Sequence, residues 1–370
     1  MNGRIKLMIP GPVEVHPDVL QAMASPLIAH YGDEWVRIYR ETVELAKEVF
    51  ETRGDLFVAV GSGTLGLEAC LNSLSVLGGS VLIPTNGWFG EKLVTIAGCY
   101  TENLIEVRFP SDSLIPPEEL RSILSNQRDI RAVAVVHSET HTGVLNPVRD
   151  YGEICREYDV MLMVDGVSSV GATPLEMDDA GIDLCVTASQ KALAAPPGLS
   201  LVAVSNRCWQ ALSNSQKDTG WYVNLKVWRK VATEWADWHP SISTMAVPAF
   251  LALRRSLQLI HDEGLQARFQ RHRRISLLVR QGLRDLGVTP FVPDEIASPS
   301  VTSALLPEGY DSAAARRHLL ERHNIMIAGA RIPGAERAIR IGHMGPQAEE
   351  QNIVEVLSSI KDYLTAAETH

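Results

Sequence analysis

The chain has 370 residues, 45% hydrophobic and 21% charged, and 34 Lys and Arg against 44 Asp and Glu give a formal net charge of -10. A chain this long suggests two domains and buries roughly 75% of its unfolded surface, so it needs no disulfide or metal staple. The acidic balance argues against nucleic acid or an anionic membrane as the main partner, but leaves room for a local basic pocket that takes a small anion.

In chain order, the opening MNGRIKLMIPGP has no long apolar run, so no secretory leader is expected. Pro10, Gly11 and Pro12 follow; proline restricts φ and blocks helix, which predicts an extended arm over 9–16. Apolar strands are predicted at 56–60, 80–84, 132–137, 160–165, 184–187 and 199–204. Between them lie amphipathic helices such as 34–52, 64–74, 118–125 and 150–157. Repeated β–α units imply an α/β fold with a mostly parallel sheet covered on both faces, and ligands at the carboxyl ends of the strands. After about residue 248 the texture changes to one long Arg-rich helix over 250–286, a strand–helix–strand region over 288–341 and a last helix over 347–364. The expected division is an arm at 1–15, a large domain at 16–262 and a smaller C-terminal α+β domain at 263–370. No stretch approaches ~20 apolar residues, so no membrane span is expected. Cys70, Cys99, Cys155, Cys185 and Cys208 show no CxxC spacing and read as reduced thiols, with Cys70 and Cys185 in the core, which points to the cytoplasm.

Three motifs carry chemistry. Strand 56–60 runs into Gly61-Ser62-Gly63-Thr64-Leu65-Gly66 and then a helix, the pattern of a phosphate-binding turn. A dinucleotide would want an acid at the end of the next strand, but that strand ends Leu82-Ile83-Pro84-Thr85-Asn86. A phosphate monoester fits better, and a plain tight turn remains open. His137-Ser138-Glu139-Thr140-His141 has two histidines four apart, but a β run precedes them, so zinc is not favoured and a polar loop facing a ligand is. Asp165 ends an apolar strand, where a lone carboxylate is costly. Lys191 sits in apolar surroundings that disfavour its ammonium and would make it nucleophilic. A lysine Schiff base with an acid facing a pyridinium nitrogen is the pyridoxal 5'-phosphate (PLP) arrangement; a structural ion pair is the alternative.

The order PGP, GSGT, NGWFG, HSETHTGVLNP, VDGVSS, SQKALAAPPG, RIGHMGP resembles class V aminotransferases of PLP fold type I over nearly the whole chain, from Pro10 to Pro346. The nearest branch is similar to alanine/serine–glyoxylate aminotransferases, with pyridoxamine–pyruvate aminotransferase also close. The resemblance implies that Lys191 forms the Schiff base and moves the proton, and that Asp165 keeps the pyridine nitrogen protonated. It implies that Ser62, Gly63 and Thr64 bind the phosphate with help from Gln190, and that Phe89 stacks on the ring opposite Val167. Trp88, one position early, reads as core, and Thr140 approaches the ring hydroxyl. Arg340 would fork the substrate carboxylate, which Gly11 would border. Thr244 would reach the phosphate of a second chain, implying a homodimer with shared sites, although Ser241 stands where the family carries an aromatic residue. Arg331 and Ile296-Ala297-Ser298-Pro299 resemble the pyridoxamine branch, and Arg331 offers a second cation for an acidic group. That branch replaces part of the phosphate turn with an acidic residue, whereas Ser62-Gly63-Thr64 is intact. The implied reaction is ping-pong transfer from a small amino acid of the alanine or serine type to glyoxylate or pyruvate. A 2-aminoethylphosphonate aminotransferase shares the HSETHTGVLNP style of loop. A cysteine desulfurase of the same fold would need a mobile late cysteine, and none follows Cys208.

Overall fold

A computed structural model describes residues 4–215 and 220–368. Seven strands form the central sheet in the order Asp55–Val60, Leu199–Val204, Leu184–Ala188, Met161–Asp165, Ile130–Val136, Ser80–Thr85 and Leu104–Arg108. Leu199–Val204 runs antiparallel to both neighbours, while the other strands run parallel to one another. That exception has a short-range cause. A few residues at 189–198 join it to Leu184–Ala188, too few for the crossover a parallel pairing needs. The edge strand Leu104–Arg108 was not among the predicted strands; it is only half-buried and carries Glu106 and Arg108, so no apolar run marks it.

Alternate residues of each strand enter two different cores, as the two-residue period of a strand requires. Leu56, Val58, Val133, Val135, Leu162 and Val164 pack on one face with helices Asp33–Phe50, Val148–Glu157 and Val247–Glu263. Phe57, Ala59, Ala132, Ala134, Met161 and Met163 pack on the other with helices Gly63–Ser75, Trp88–Ala97 and Leu225–Glu234. Cys70 and Cys185 are fully buried, one on each face, and no disulfide is formed by the five cysteines.

The helix predicted over 250–286 is two helices, Val247–Glu263 and Leu265–Asp285. Gly264 separates them at φ 79°, a left-handed conformation that a continuing α-helix cannot contain. The second helix packs Ile275, Val279 and Leu283 into a third core with Leu319, Ile339, Ile353 and Ile360. That core lies beside a four-stranded antiparallel sheet, Thr289–Pro290, Val301–Leu305, Ala338–Gly342 and Ala328–Gly329. The N-terminal arm does more than extend. Lys6–Leu7 pairs in parallel with Ile325–Met326, Met8 joins the third core, and Val13 N–H donates to Gln190 O at 3.1 Å. The arm therefore links the small sheet to the turn that carries Lys191.

Candidate active site

Strand Asp55–Val60 ends at the glycine turn, and Gly63 and Thr64 open helix Gly63–Ser75. As the first two residues of the helix their N–H groups lack intrahelical acceptors and form the positive end of its dipole. Gly63 permits a close approach: a Cβ there would lie 2.9 Å from Val167 Cγ2 and 3.2 Å from Ala188 Cβ. The turn is thus pressed against the segments that follow Met161–Asp165 and end Leu184–Ala188.

Asp165 is the last residue of its strand and is buried. Burial pushes its carboxyl up to about 6, opposed by the Val167 N–H, which donates to Oδ1 at 2.9 Å, and by the ammonium groups of Lys92 and Lys191. Lys191 lies in the turn after Leu184–Ala188. Ser189 braces that turn, its hydroxyl donating to Pro196 O at 2.7 Å, and buried Arg268 donates to Ala192 O at 2.5 Å. The Lys191 ammonium donates to the carbonyl of Pro10. Burial first, then the Arg340 guanidinium, pulls its pKa down to about 8.

Gly11 sits against this lysine at φ +111°, and a Cβ there would lie 2.7 Å from Lys191 Cδ. Gly11→Ala is expected to displace the lysine and lower turnover by about 10²-fold, the cost of an ångström-scale misplacement in an active site. The check is steady-state kinetics beside a thermal melt. A wild-type rate in the folded variant would show that the lysine does not depend on this space.

Helix Trp88–Ala97 supplies the opposite wall. Buried Glu139 accepts the backbone N–H groups of Phe89 at 3.0 Å and Gly90 at 3.3 Å, a carboxylate on a helix N-terminus. Burial nonetheless raises its pKa to about 7. His141 accepts the Arg331 N–H on Nδ1 at 2.8 Å and lies with its ring 5.3 Å from Trp88 and 5.5 Å from Phe89. Glu139 and His141 therefore position the helix and the 331 segment, and neither is arranged for a metal. Among the described residues the group able to converge on a metal ion is His318, His323 and Asp362, which lies on helices Ser312–His323 and Glu350–Glu368 outside this site. Trp88 is not a core residue: it is half-buried, and the Arg331 guanidinium lies over its ring at 5.2 Å.

One cavity is lined by Ser62, Gly63, Thr64, Phe89, Thr140, Asp165, Val167, Gln190 and Lys191, residues drawn from five separate stretches of chain. Arg340 stands beside it, donating from Nε to Gly329 O at 2.7 Å and from Nη1 to Thr140 O at 3.3 Å. Burial lowers its pKa to about 10, so it stays cationic near neutrality. Thr140 is held by Ser168 through a 2.7 Å hydroxyl contact. Four predicted residues do not line the cavity: Arg340 and Gly11 stand beside it, and two others lie further off. Arg331 is exposed and borders a neighbouring cavity with Trp88 and Glu336, and Thr244 is exposed in the turn 241–244. Lys92 does line the cavity and was absent from the predicted set. Its signal was available: it follows Phe89 by three residues, so on a helix both share a face.

The fold is that of the PLP-dependent aminotransferases. A family profile described as aminotransferase class-V matches residues 19–345. An uncharacterized aminotransferase of Methanocaldococcus jannaschii is 37% identical over 93% of this chain and 89% of its own length. The solved alanine–glyoxylate aminotransferase of Nostoc sp. superposes with a TM-score of 0.93 at 31% identity, covering 98% of this chain and 96% of that one. Ureidoglycine–glyoxylate aminotransferase of Bacillus subtilis gives a TM-score of 0.93 at 30% identity over 99% of this chain and 94% of that one. The chain belongs to the class V aminotransferases.

Proposed function

We propose that this aminotransferase binds PLP in the cavity around Lys191 and moves an amino group from a small amino acid of the alanine or serine type to a 2-oxo acid such as glyoxylate or pyruvate, in two ping-pong half-reactions. The observation that carries this reading is the convergence of Lys191, Asp165 and a helix N-terminus in one cavity, with Arg340 alongside. Glyoxylate as acceptor is supported by the names of both solved relatives.

The residues fit the cofactor. Gly63 and Thr64 offer backbone donors to a phosphate, and Ser62 and Thr64 add hydroxyls. The Gln190 amide oxygen is buried without a hydrogen-bond partner, a group that a polar ligand would satisfy. Phe89 and Val167 supply apolar walls for a flat ring. Bound there, PLP supplies a carbonyl for the donor's amine and a pyridinium that takes up electrons from the broken Cα–H bond. Asp165, ionised above about pH 6, would hold a proton on the ring nitrogen. Arg340 binds the substrate carboxylate, and Gly11 leaves room for it. Lys191 Nζ, neutral above about pH 8, removes the α-proton and returns it.

The working unit in this reading is a homodimer in which Thr244 of one chain reaches the phosphate site of the other. Thr244 and Ser62 are exposed in the single chain, and Tyr31, Trp235 and Trp238 form an exposed aromatic patch just before the turn 241–244. The division at about residue 262 belongs to the same reading, supported by the separate third core and the break at Gly264. A cytoplasmic location is supported by the free thiols, and no helix among the described residues is long and apolar enough to cross a membrane.

Arg331, exposed above Trp88, favours one second reading, a donor with an extra acidic group such as 2-aminoethylphosphonate. A matrix of alanine, serine, 2-aminoethylphosphonate and pyridoxamine against glyoxylate, pyruvate and 2-oxoglutarate separates the readings. Alanine or serine with glyoxylate or pyruvate is expected to give the highest kcat/KM. A preference for pyridoxamine would overturn the phosphate assignment.

A further inference from the structure

We infer that Lys92 is a phosphate-positioning residue: it supplies the positive charge that balances the cofactor's phosphate and aims the Thr64 hydroxyl at it. The inference rests on the reading that the cavity holds PLP. Among the described residues two ammonium groups and no guanidinium line that cavity, those of Lys92 and Lys191. Lys191 is committed to the carbonyl end of the cofactor. The phosphate end, at the start of helix Gly63–Ser75, then meets the helix dipole, worth about half a positive charge, and Lys92. A phosphate monoester carries nearly two negative charges at neutral pH, so the dipole alone leaves it under-compensated.

The geometry is specific. Lys92 Nζ donates to Thr64 Oγ1 at 2.8 Å, across two helices that are not adjacent in the chain. Because the hydroxyl oxygen accepts from Lys92, its own hydrogen is left to donate elsewhere, and Thr64 lines the cavity. An ammonium has three donors, and this bond uses one. Among the described ion pairs Lys92 has no carboxylate partner, although Glu91 beside it pairs with Arg108 at 3.8 Å. A half-buried cation with donors to spare at a helix N-terminus is suited to an anion. Its field already reaches the reaction centre, lowering the pKa of both Asp165 and Lys191. Lys92 also shares a helix face with Phe89, and Glu139 anchors the start of that helix. One rigid element thus sets the ring wall and the phosphate cation together.

The test compares PLP with pyridoxal, which lacks the phosphate, on the purified full-length apoprotein, its Lys92→Gln variant and its Lys92→Arg variant. Losing one charge-assisted contact is expected to raise the PLP dissociation constant of Lys92→Gln by about 10- to 100-fold. Pyridoxal binding is expected to change by less than about threefold, and Lys92→Arg to stay near wild type for both ligands. In ³¹P NMR of bound PLP, the wild-type phosphate stays dianionic from pH 6 to 9, whereas in Lys92→Gln its titration midpoint rises into that window. Equal weakening of PLP and pyridoxal would make Lys92 merely structural and overturn the inference, as would unchanged PLP binding in Lys92→Gln. A wild-type protein that takes up no PLP would instead overturn the cofactor reading itself.

Discussion

Lys191→Ala should leave a folded protein with almost no transaminase activity, its rate lower by on the order of 10⁴-fold, the upper range for loss of a positioned general base. It should also fail to hold PLP through gel filtration and lack the yellow colour of the wild type. The pH dependence carries the same assignment. The buried amine titrates near 8, below its ordinary 10.5. Between those values the unfolded chain holds more protons than the folded one, so this group's contribution to stability rises with pH across that window and its full cost is present below about 8. Uptake of PLP by the apoprotein needs the neutral amine, so its rate should climb towards pH 8 and level off above. Normal turnover by Lys191→Ala would falsify the assignment, and an uptake midpoint near 10.5 would show that the lysine is not desolvated.

Arg340→Ala should lower kcat/KM by about 10²-fold or more for both the amino donor and the oxo acid, the scale for truncating one side of a buried charge pair. Arg340→Lys should recover only part of this, because an ammonium cannot fork a carboxylate. Arg340 also depresses the Lys191 pKa, so its removal should move the uptake midpoint above about 8. Kinetics with an amine lacking a carboxylate decides between binding and support. If such a donor suffers as much as alanine does, Arg340 acts through its bonds to Gly329 and Thr140 instead.

Much of the site was readable from local patterns because its groups sit at the ends of apolar strands. Asp165 closes Met161–Asp165, Lys191 follows Leu184–Ala188, and Ser62-Gly63-Thr64 follows Asp55–Val60. An apolar run broken by one charged residue is legible in one dimension, because burying a charge without purpose is costly. The strand Leu199–Val204 was recovered to the residue for a related reason, an aliphatic run interrupted only by Ser200. The half-buried edge strand Leu104–Arg108 and the Gly264 break carry no such contrast, and a single glycine inside an Arg-rich helical pattern does not announce its φ.

The sequence by itself determined the α/β class, the strands that end at the cavity and the lysine, aspartate and glycine turn that meet in it. Only the tertiary structure decided which residues hold those groups in place. Glu139 caps a helix that begins 51 residues earlier, at Trp88, Arg340 reaches Thr140 across 200 residues of chain, and Lys92 meets Thr64 between two separate helices. Each contact depends on how elements pack after their apolar faces have been buried. Burial is written in the periodicity of a segment, whereas the meeting of two polar side chains from distant segments is set by the geometry of the assembled layers.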